Sequence, residues 1–219
     1  MDKNSLAKMI DHTFLRPDAS SKEIENFCIE ALNYNFASVC IQPYFVPLAY
    51  KILKNTGIKV CTVIDFPHGL NSPSSKAFQV QELLKKGAEE FDMVINISAI
   101  KDRNEKVLRE EVRKVVDSAE GKIVKVIIET CYLTDDEKIY ITNIIKEEGA
   151  HFVKTSTGFG PKGAVVEDIL LLKRVAGDKL KVKASGGIRT LEQALSMIEA
   201  GADRLGTSNS IKILQELYE

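Results

Sequence analysis

The sequence predicts an α/β protein, a (β/α)8 TIM barrel with a short N-terminal helix, formed by residues 1–219 as a single domain. Eight short runs rich in β-branched residues follow one another along the chain, and the segments between them show a helical apolar period. Successive runs lie one strand–helix unit apart, as parallel strands joined by right-handed crossovers do. Eight such strands can close into a barrel without sheet edges, whereas an open doubly wound sheet usually has fewer strands and needs a switch point.

The predicted strands are, in chain order, residues 9–13, 38–41, 60–64, 92–95, 124–129, 152–155, 181–184 and 204–207. The first is the weakest prediction, because Asp11, His12 and Thr13 are polar and the same residues could form a loop. No linker rich in Pro, Ser or Gly and no low-complexity tract interrupts the series, so no second domain is expected.

The segments between the strands carry the residues that begin and end helices. Three pairs have the spacing of a capping box, in which two side chains satisfy the free amides of the first turn: Ser20 with Glu23, Thr134 with Glu137, and Thr190 with Gln193. Three glycines are expected to end helices in the left-handed conformation: Gly87, Gly149 and Gly201. These signals predict helices between the strands.

Composition and charge favour a small-molecule partner. The 219 residues are 44% hydrophobic and 28% charged, as in ordinary globular proteins. The 30 basic residues are balanced by 31 acidic ones, without the basic excess of a protein that binds nucleic acid. We therefore expect no nucleic-acid partner.

Neither a membrane segment nor a metal site is expected. The N-terminus opens with charged residues, and no stretch approaches the roughly 18 apolar residues of a membrane span, which favours a cytoplasmic location. The four cysteines lack C-x-x-C or zinc spacing, so buried free thiols are the better interpretation. The three histidines, His12, His68 and His151, also lack a metal spacing.

Two lysines lie near the ends of predicted strands, where barrel enzymes carry their active sites. Because side chains alternate across a strand, Lys154 and Lys183 point into the barrel if Val153 and Val182 pack outward. A buried ammonium needs a partner or a lowered pKa, and two neighbouring ammonium groups disfavour each other's charge. The pattern indicates an amine that is neutral near pH 7 and attacks carbonyl carbon to form a Schiff base.

Most lysines at strand ends extend to solvent instead. We expect this of Lys125 and Lys181, because both stand at the beginnings of predicted strands. For Lys154 and Lys183, the glycine-rich loops that follow favour the catalytic interpretation.

Glycine-rich loops follow the last three predicted strands. Glycines let backbone amides approach an anion, and the loops after strands seven and eight of a barrel frequently bind phosphate. The latter two loops are also expected to open onto helix N-termini. The sequence therefore predicts a phosphorylated small metabolite, bound by Gly158, Gly186, Gly187, Gly206, Thr207 and Ser208.

At these residues the chain resembles the deoxyribose-phosphate aldolases, which form a Schiff base with a lysine. The most specific segments are FVKTSTGFG at residues 152–160 and KASGGIR at residues 183–189. The remaining supporting segments are residues 10–13, 38–41, 92–96, 125–130 and 204–208. The resemblance thus extends over most of the chain.

The resemblance implies reversible cleavage of 2-deoxy-D-ribose 5-phosphate to D-glyceraldehyde 3-phosphate and acetaldehyde, without a metal or organic cofactor. It implies that Lys154 carries the imine and that the charge of Lys183 holds down the pKa of Lys154. It further implies that Asp92 acts in proton relay through water and that Asp11 pairs with Lys183.

Several positions stay open at this point. The predicted strand four begins at Asp92, so the residue pattern alone favours a capping or salt-bridge role for it, against the resemblance. Glu129 is either a further catalytic group or a structural hydrogen-bond acceptor. Three residues depart from the family pattern: Asp65 and Ser98 stand where Gly is common, and Gln79 stands where Glu is frequent. Asp65 puts the loop after strand three in question.

Two other functions remain as alternatives. One is another cofactor-free barrel enzyme that acts on phosphosugars, either an aldolase or an isomerase, and an isomerase would need a carboxylate base instead of an imine. The other is a sensor of a phosphorylated ligand that retained the barrel without the chemistry. A homodimer is possible.

Overall fold

The computed structural model describes residues 1–218, and their side chains up to residue 217. Eight parallel strands close into a barrel in chain order, and β8 pairs with β1. The strands are β1 (Ile10–Phe14), β2 (Ser38–Ile41), β3 (Lys59–Ile64), β4 (Glu90–Val94), β5 (Ile123–Ile127), β6 (Phe152–Lys154), β7 (Lys181–Ser185) and β8 (Arg204–Thr207). The predicted TIM barrel is therefore confirmed.

Helices cover the outside of the barrel and alternate with its strands. They are α1 (Lys3–Ala7), α2 (Ser21–Tyr34), α3 (Val46–Leu53), α4 (Pro73–Lys85), α5 (Ile97–Lys101), α6 (Glu105–Ser118), α7 (Asp135–Glu147), α8 (Val166–Ala176), α9 (Leu191–Glu199) and α10 (Ser210–Gln215). The expected short N-terminal helix is α1. Among the described residues, no helix combines the length and the apolar character that crossing a membrane requires.

The predicted helix ends are confirmed with one exception. Ser20 and Thr134 form complete capping boxes with Glu23 and Glu137. Thr190 accepts from the backbone amide of Gln193, but the Gln193 side chain accepts from the backbone of Arg189 rather than from that of Thr190. The box predicted at Thr190 is therefore only half formed.

The three predicted terminating glycines have positive φ angles, 102° at Gly87, 80° at Gly149 and 106° at Gly201. The amide after each glycine donates to a carbonyl in the last turn of the helix, as Ala88 does to Leu83 at 3.0 Å. This hydrogen bond is typical of the Schellman motif, which turns the chain out of the helix toward the next strand.

The first strand forms although its sequence is polar. Asp11 points into the barrel, where charged groups meet it, and His12 points outward into the apolar layer between strands and helices. The imidazole of His12 stacks on Phe27 at 3.7 Å and on Phe36 at 4.7 Å between ring centroids. Asp11 and His12 thus each have a buried environment, and β1 is a strand and not a loop.

The loop after β3 is fixed by its own polar contacts. Asp65 has a φ of 51°, and its backbone amide donates to the side-chain carbonyl of Gln79 at 2.9 Å. The Asp65 carboxylate accepts from the backbone of Asn71 at 2.8 Å and lies 3.3 Å from the buried ammonium of Lys76. Lys76 also donates to the carboxylate of Glu111 on α6. The Asp65 departure therefore leaves this loop closely tied to the barrel.

The cysteines are free thiols, and three of them are buried: Cys28, Cys40 and Cys61. The prediction of buried thiols is confirmed for these three, whereas Cys131 is half-buried.

We predict that His12→Phe weakens the dependence of stability on acid. Burial lowers the pKa of His12 to about 3, although the half-exposed Glu30 carboxylate lies 3.4 Å from Nε2. An unfolded histidine titrates near pH 6.5. Between these values the unfolded state binds more protons, so the stability is fully present above about pH 6.5 and is lost as the pH falls toward 3.

At pH 5 this histidine lowers the free energy of unfolding by about 2 kcal/mol, since each pH unit below 6.5 corresponds to about 1.4 kcal/mol. Urea unfolding at pH 7 and pH 5 measures the difference. The exposed His68 supplies the matched control, His68→Phe, which should lose as much stability as the parent protein. An equal loss in His12→Phe would contradict the assignment.

Candidate active site

One carboxylate at the centre of the barrel accepts hydrogen bonds from three lysines. Asp92 on β4 accepts from Lys154 Nζ at 2.8 Å and from Lys183 Nζ at 2.7 Å, both through Oδ2. Its other oxygen, Oδ1, accepts from Lys125 Nζ at 2.9 Å. All four side chains are buried. The pairing of Lys154 with Lys183 in the register of β6 and β7 brings their side chains to the same level of the barrel.

Asp92 lies in the middle of its strand, because β4 begins at Glu90. The prediction that the strand starts at Asp92 is wrong by two residues, and so is the capping interpretation that depended on it. The salt-bridge alternative agrees with the three lysine contacts of Asp92. Glu90 lies outside the predicted strand, and its side chain is buried inside the barrel against Lys125. Period-two alternation from Glu90 through Asp92 is the signal that would have placed both residues inward.

Asp11 holds Lys183 from the other side. Its Oδ2 accepts from Lys183 Nζ at 2.5 Å, and its Oδ1 accepts from Arg204 Nη1 at 2.6 Å and from the Ser38 hydroxyl at 2.7 Å. Lys183 therefore lies between two carboxylates, those of Asp11 and Asp92. The predicted pairing of Asp11 with Lys183 is present in the structure.

The surrounding charges decide the ionisation of these groups. Burial alone would raise the pKa of Asp92, but Lys125, Lys154 and Lys183 together hold it well below its ordinary value. Burial would likewise raise the pKa of Asp11, and the neighbouring cations lower it instead. For Lys183, burial opposes the charged form, and the two carboxylates raise its pKa above the ordinary value. Asp11 and Asp92 are therefore carboxylates near neutral pH, and Lys183 is an ammonium.

Lys125 is the largest error of the sequence-based prediction. It was expected to extend to solvent, but its ammonium is buried and lies 2.6 Å from Glu90 Oε2 and 3.3 Å from Cys61 Sγ. Burial disfavours its charge, yet Asp11 and Asp92 raise the pKa of Lys125 well above its ordinary value. The prediction for Lys181 is confirmed, since that side chain is exposed at the start of β7.

A cavity of about 290 Å3 opens above Lys154. All six residues predicted to bind phosphate line it: Gly158, Gly186, Gly187, Gly206, Thr207 and Ser208. The sequence argument missed two arginines that also line it, Arg16 after β1 and Arg189 after β7. The described lining residues include these two arginines and Lys154 as basic side chains, and no carboxylate. The cavity is therefore suited to an anionic ligand.

The glycines around the cavity have different reasons to be glycine. Gly158 and Gly186 have φ angles of 85° and 84°, a conformation that favours glycine. Gly206 has no such requirement, but a Cβ there would lie 3.1 Å from Lys183 Cε. Its lack of a side chain leaves room for the Lys183 stem.

The loop after β7 does not lead directly into a helix. Three residues separate Gly187 from the start of α9 at Leu191, so the expected helix follows this loop but does not begin at its glycines. After β8, only Ser208 and Asn209 precede α10, as expected.

Glu129 has a structural role in the geometry. Its side chain is buried, and its carboxylate accepts from the backbone amide of Thr157 at 3.1 Å and from the Thr157 hydroxyl. The Thr157 hydroxyl oxygen in turn accepts from the backbone amide of Phe159 at 3.0 Å. Of the two interpretations of Glu129, these contacts favour the structural one, because they fix the loop that follows Lys154.

Two groups of possible metal ligands occur among the described residues. Cys40, Cys61 and Asp92 lie close together, and so do Asp11, Cys61 and Glu90. Every carboxylate in these groups is already paired with a lysine or arginine. A cation at either place would have to displace an ammonium group, so the donor sets fit a metal poorly.

Residues 5–216 match the model of the family described as DeoC/LacD family aldolase. A deoxyribose-phosphate aldolase from Dictyoglomus turgidum is 63% identical over 99% of both chains. Another from a Thermoanaerobacter species is 54% identical over 97% of this chain and 96% of its own length. The tetrameric structure of a deoxyribose phosphate aldolase from Aeropyrum pernix superposes with a TM-score of 0.93 at 32% identity, covering 100% of this chain and 93% of that one.

We predict that Lys125→Met lowers the free energy of unfolding by about 3–5 kcal/mol, because it leaves Glu90 and Asp92 buried with one cationic partner fewer. Denaturant unfolding at neutral pH measures the loss. The matched control is Lys181→Met at the exposed start of β7, which should change stability by at most about 1 kcal/mol. Equal losses in the two variants would show that the buried lysine does not stabilise the carboxylates.

Proposed function

The chain belongs to the DeoC/LacD family of aldolases, and from this membership and the lysine geometry we propose that it is a deoxyribose-phosphate aldolase. It reversibly cleaves 2-deoxy-D-ribose 5-phosphate to D-glyceraldehyde 3-phosphate and acetaldehyde. Lys154 forms the Schiff base with the substrate. The relatives at 63% and 54% identity are both named deoxyribose-phosphate aldolase and match this chain over nearly their full lengths, which supports the proposed substrate.

The observation that carries the mechanism is the position of Lys154. Its Nζ lies at the boundary between the buried charge cluster and the cavity, bonded to Asp92 Oδ2 at 2.8 Å while its side chain lines the cavity wall. An amine in this position can reach a carbonyl carbon in the cavity and remain within proton-transfer distance of the cluster.

The charge count supports a neutral amine at Lys154. Three buried carboxylates, Asp11, Glu90 and Asp92, contact the cationic side chains of Lys125, Lys183 and Arg204. These three cations already balance the three anions, so the cluster is neutral when Lys154 is an amine. A fourth positive charge would be in excess in a buried environment.

Cleavage begins when the Lys154 amine adds to C1 of the open-chain sugar. Loss of water from the carbinolamine gives the iminium ion. Removal of the proton from the C3 hydroxyl forms the aldehyde of glyceraldehyde 3-phosphate as the C2–C3 bond breaks, and the bonding electrons pass to the iminium as an enamine. Protonation at C2 and hydrolysis then release acetaldehyde and free Lys154. The iminium nitrogen is the electron sink, so no free carbanion forms.

Asp92 and Lys183 take the proton-transfer roles in this scheme. The Asp92 carboxylate bonds to both Lys154 and Lys183, so it is placed to relay protons to the reacting carbons through a water molecule. Lys183 supplies a fixed positive charge beside Lys154, and Asp11 holds its ammonium in place. These assignments are supported by distance and burial.

The cavity lining supports a phosphorylated substrate. The loops after β6, β7 and β8 contribute glycines and the hydroxyl-bearing residues Thr207 and Ser208 to the cavity lining. An isomerase would need a free carboxylate base in the cavity, and the described lining residues include none. A sensor of a phosphorylated ligand would have no use for three buried lysines on one carboxylate. The aldolase is therefore the better supported function.

Assembly and location are proposed on narrower grounds. The relative from Aeropyrum pernix is described as tetrameric, which supports self-association of this chain, in its simplest form as a homodimer. The free cysteine thiols fit the reducing cytoplasm.

We predict that sodium borohydride in the presence of acetaldehyde inactivates the enzyme by reducing the imine to a stable amine. Peptide mass spectrometry should find a two-carbon adduct on Lys154. Lys154→Ala should give no adduct and no turnover. Lys183→Met keeps a buried lysine at position 154, so a weak adduct at the same position is expected. An adduct on any other lysine, with Lys154 unmodified, would exclude the mechanism.

We also predict that Lys183→Met lowers kcat/KM at pH 7 by about 100-fold, the scale of loss expected when a positioned electrostatic or proton-transfer group is removed. Without the adjacent positive charge, protonation of Lys154 becomes easier. The lost activity should therefore be partly restored at higher pH. The pH–rate profile from pH 6 to pH 10 is the measurement. A profile of unchanged shape, merely scaled down, would argue against an electrostatic role for Lys183.

A further inference from the structure

Arg16 is a cation that the catalytic scheme does not use. It follows β1, and its side chain is 59% exposed and lines the cavity above Lys154. It lines the cavity together with residues of the glycine-rich loops after β6, β7 and β8, and β1 pairs directly with β8 in the barrel. A ligand phosphate held by those loops would share the cavity with this guanidinium.

The Arg16 guanidinium contacts two carboxylates, which do not use all of its N–H donors. Its Nη2 donates to Glu23 Oε1 at 2.8 Å, and its Nε lies 3.6 Å from Asp18 Oδ1. Its Cζ lies 5.1 Å from the centroid of the Phe14 ring, so the planar group rests against an aromatic face. The guanidinium has further N–H donors beyond these contacts.

The two carboxylate partners of Arg16 are differently constrained. Glu23 also caps α2, where its Oε2 accepts from the backbone amide and hydroxyl of Ser20. The Asp18 side chain is 73% exposed, and its one salt bridge among the described residues is the long one to Arg16. Exposed ion pairs of this kind contribute little stability, so Arg16 can exchange them for a stronger anion at small cost.

We propose that Arg16 is a specificity residue that selects phosphorylated over unphosphorylated substrates by closing on the phosphate. When the phosphate enters, the guanidinium leaves Asp18, and in part Glu23, and donates two N–H groups to phosphate oxygens. The geometry suits arginine, whose planar fork binds phosphate in bidentate fashion. This inference rests on the proposed aldolase function and extends it to a residue outside the glycine-rich loops.

Steady-state kinetics on two substrates tests the proposal. The substrates are 2-deoxy-D-ribose 5-phosphate and 2-deoxy-D-ribose, which differ only in the phosphate. In Arg16→Ala the ratio of their kcat/KM values should fall about tenfold, because a charge-assisted hydrogen bond to phosphate is lost. The change should fall on KM for the phosphorylated substrate, with kcat within about twofold of the parent value.

Asp18→Asn gives the reciprocal test. Removing the competing carboxylate frees the guanidinium, so KM for the phosphorylated substrate should decrease by about twofold. Inorganic phosphate, used as an inhibitor of deoxyribose cleavage, should bind less tightly to Arg16→Ala and slightly more tightly to Asp18→Asn. Arg16→Lys keeps the charge without the bidentate fork and should lie between the parent and Arg16→Ala.

Lys22→Ala is the matched control. Lys22 is a 75% exposed cation near the start of α2 that pairs with Glu25 and is not among the residues lining the cavity. Its removal should leave the substrate ratio at the parent value. An equal drop of the ratio in Lys22→Ala and Arg16→Ala would show that the effect arises from general surface charge and would overturn the proposal. An unchanged ratio in Arg16→Ala would overturn it as well. If the parent protein cleaved neither substrate, the proposed function itself would fail, which is a different result.

Discussion

The structure depends on one carboxylate shared by three lysines. Asp92 is fully buried, and removing an ionised carboxylate from water is compensated only when cations and hydrogen-bond donors surround it. Lys125, Lys154 and Lys183 supply those donors from three consecutive strands of the barrel, β5, β6 and β7. The same contacts orient each lysine. The barrel interior is therefore a charge network at this level, while the apolar core lies between strands and helices.

The network explains why Lys154, the proposed catalytic lysine, cannot be considered alone. Asp11, which also pairs with Arg204, holds the ammonium of Lys183, and Glu90 holds that of Lys125. With these groups in place, Lys154 has no carboxylate of its own and shares Asp92 Oδ2 with Lys183. The environment proposed to make the Lys154 amine reactive thus depends on the carboxylates that hold Lys183 and Lys125. Gly206 contributes by the absence of a side chain, since a Cβ would press against the Lys183 stem.

The sequence predicted the barrel because each strand and helix carries a local signal, either a period of apolar residues or a capping pair. It also placed Lys154 and Lys183, because glycine-rich loops mark the strand ends that follow them. It failed at Lys125, since the residues that make a buried lysine acceptable lie on β1 and β4, distant in sequence. Local patterns do not encode which side chains meet across a closed barrel. The departures at Asp65 and Gln79 illustrate the same limit, because the Asp65 backbone amide donates to the Gln79 side chain 14 residues further along the chain. The third departure, the exposed Ser98 on α5, has no structural explanation among the described residues.

Two strands, β6 and β7, each connect a lysine of the charge network to the loop proposed to bind the substrate phosphate. Lys154 is followed three residues later by Thr157, and Lys183 by Gly186, so β6 and β7 each carry a lysine and then continue into the wall of the anion cavity. Thr157 is fixed in turn by the buried Glu129. In the proposed complex, phosphate binding to these loops is therefore transmitted through a few backbone residues to the position of the Lys154 amine. Binding energy from the unreactive phosphate can in this way orient C1 against Lys154, which raises the rate of the chemical step as well as the affinity.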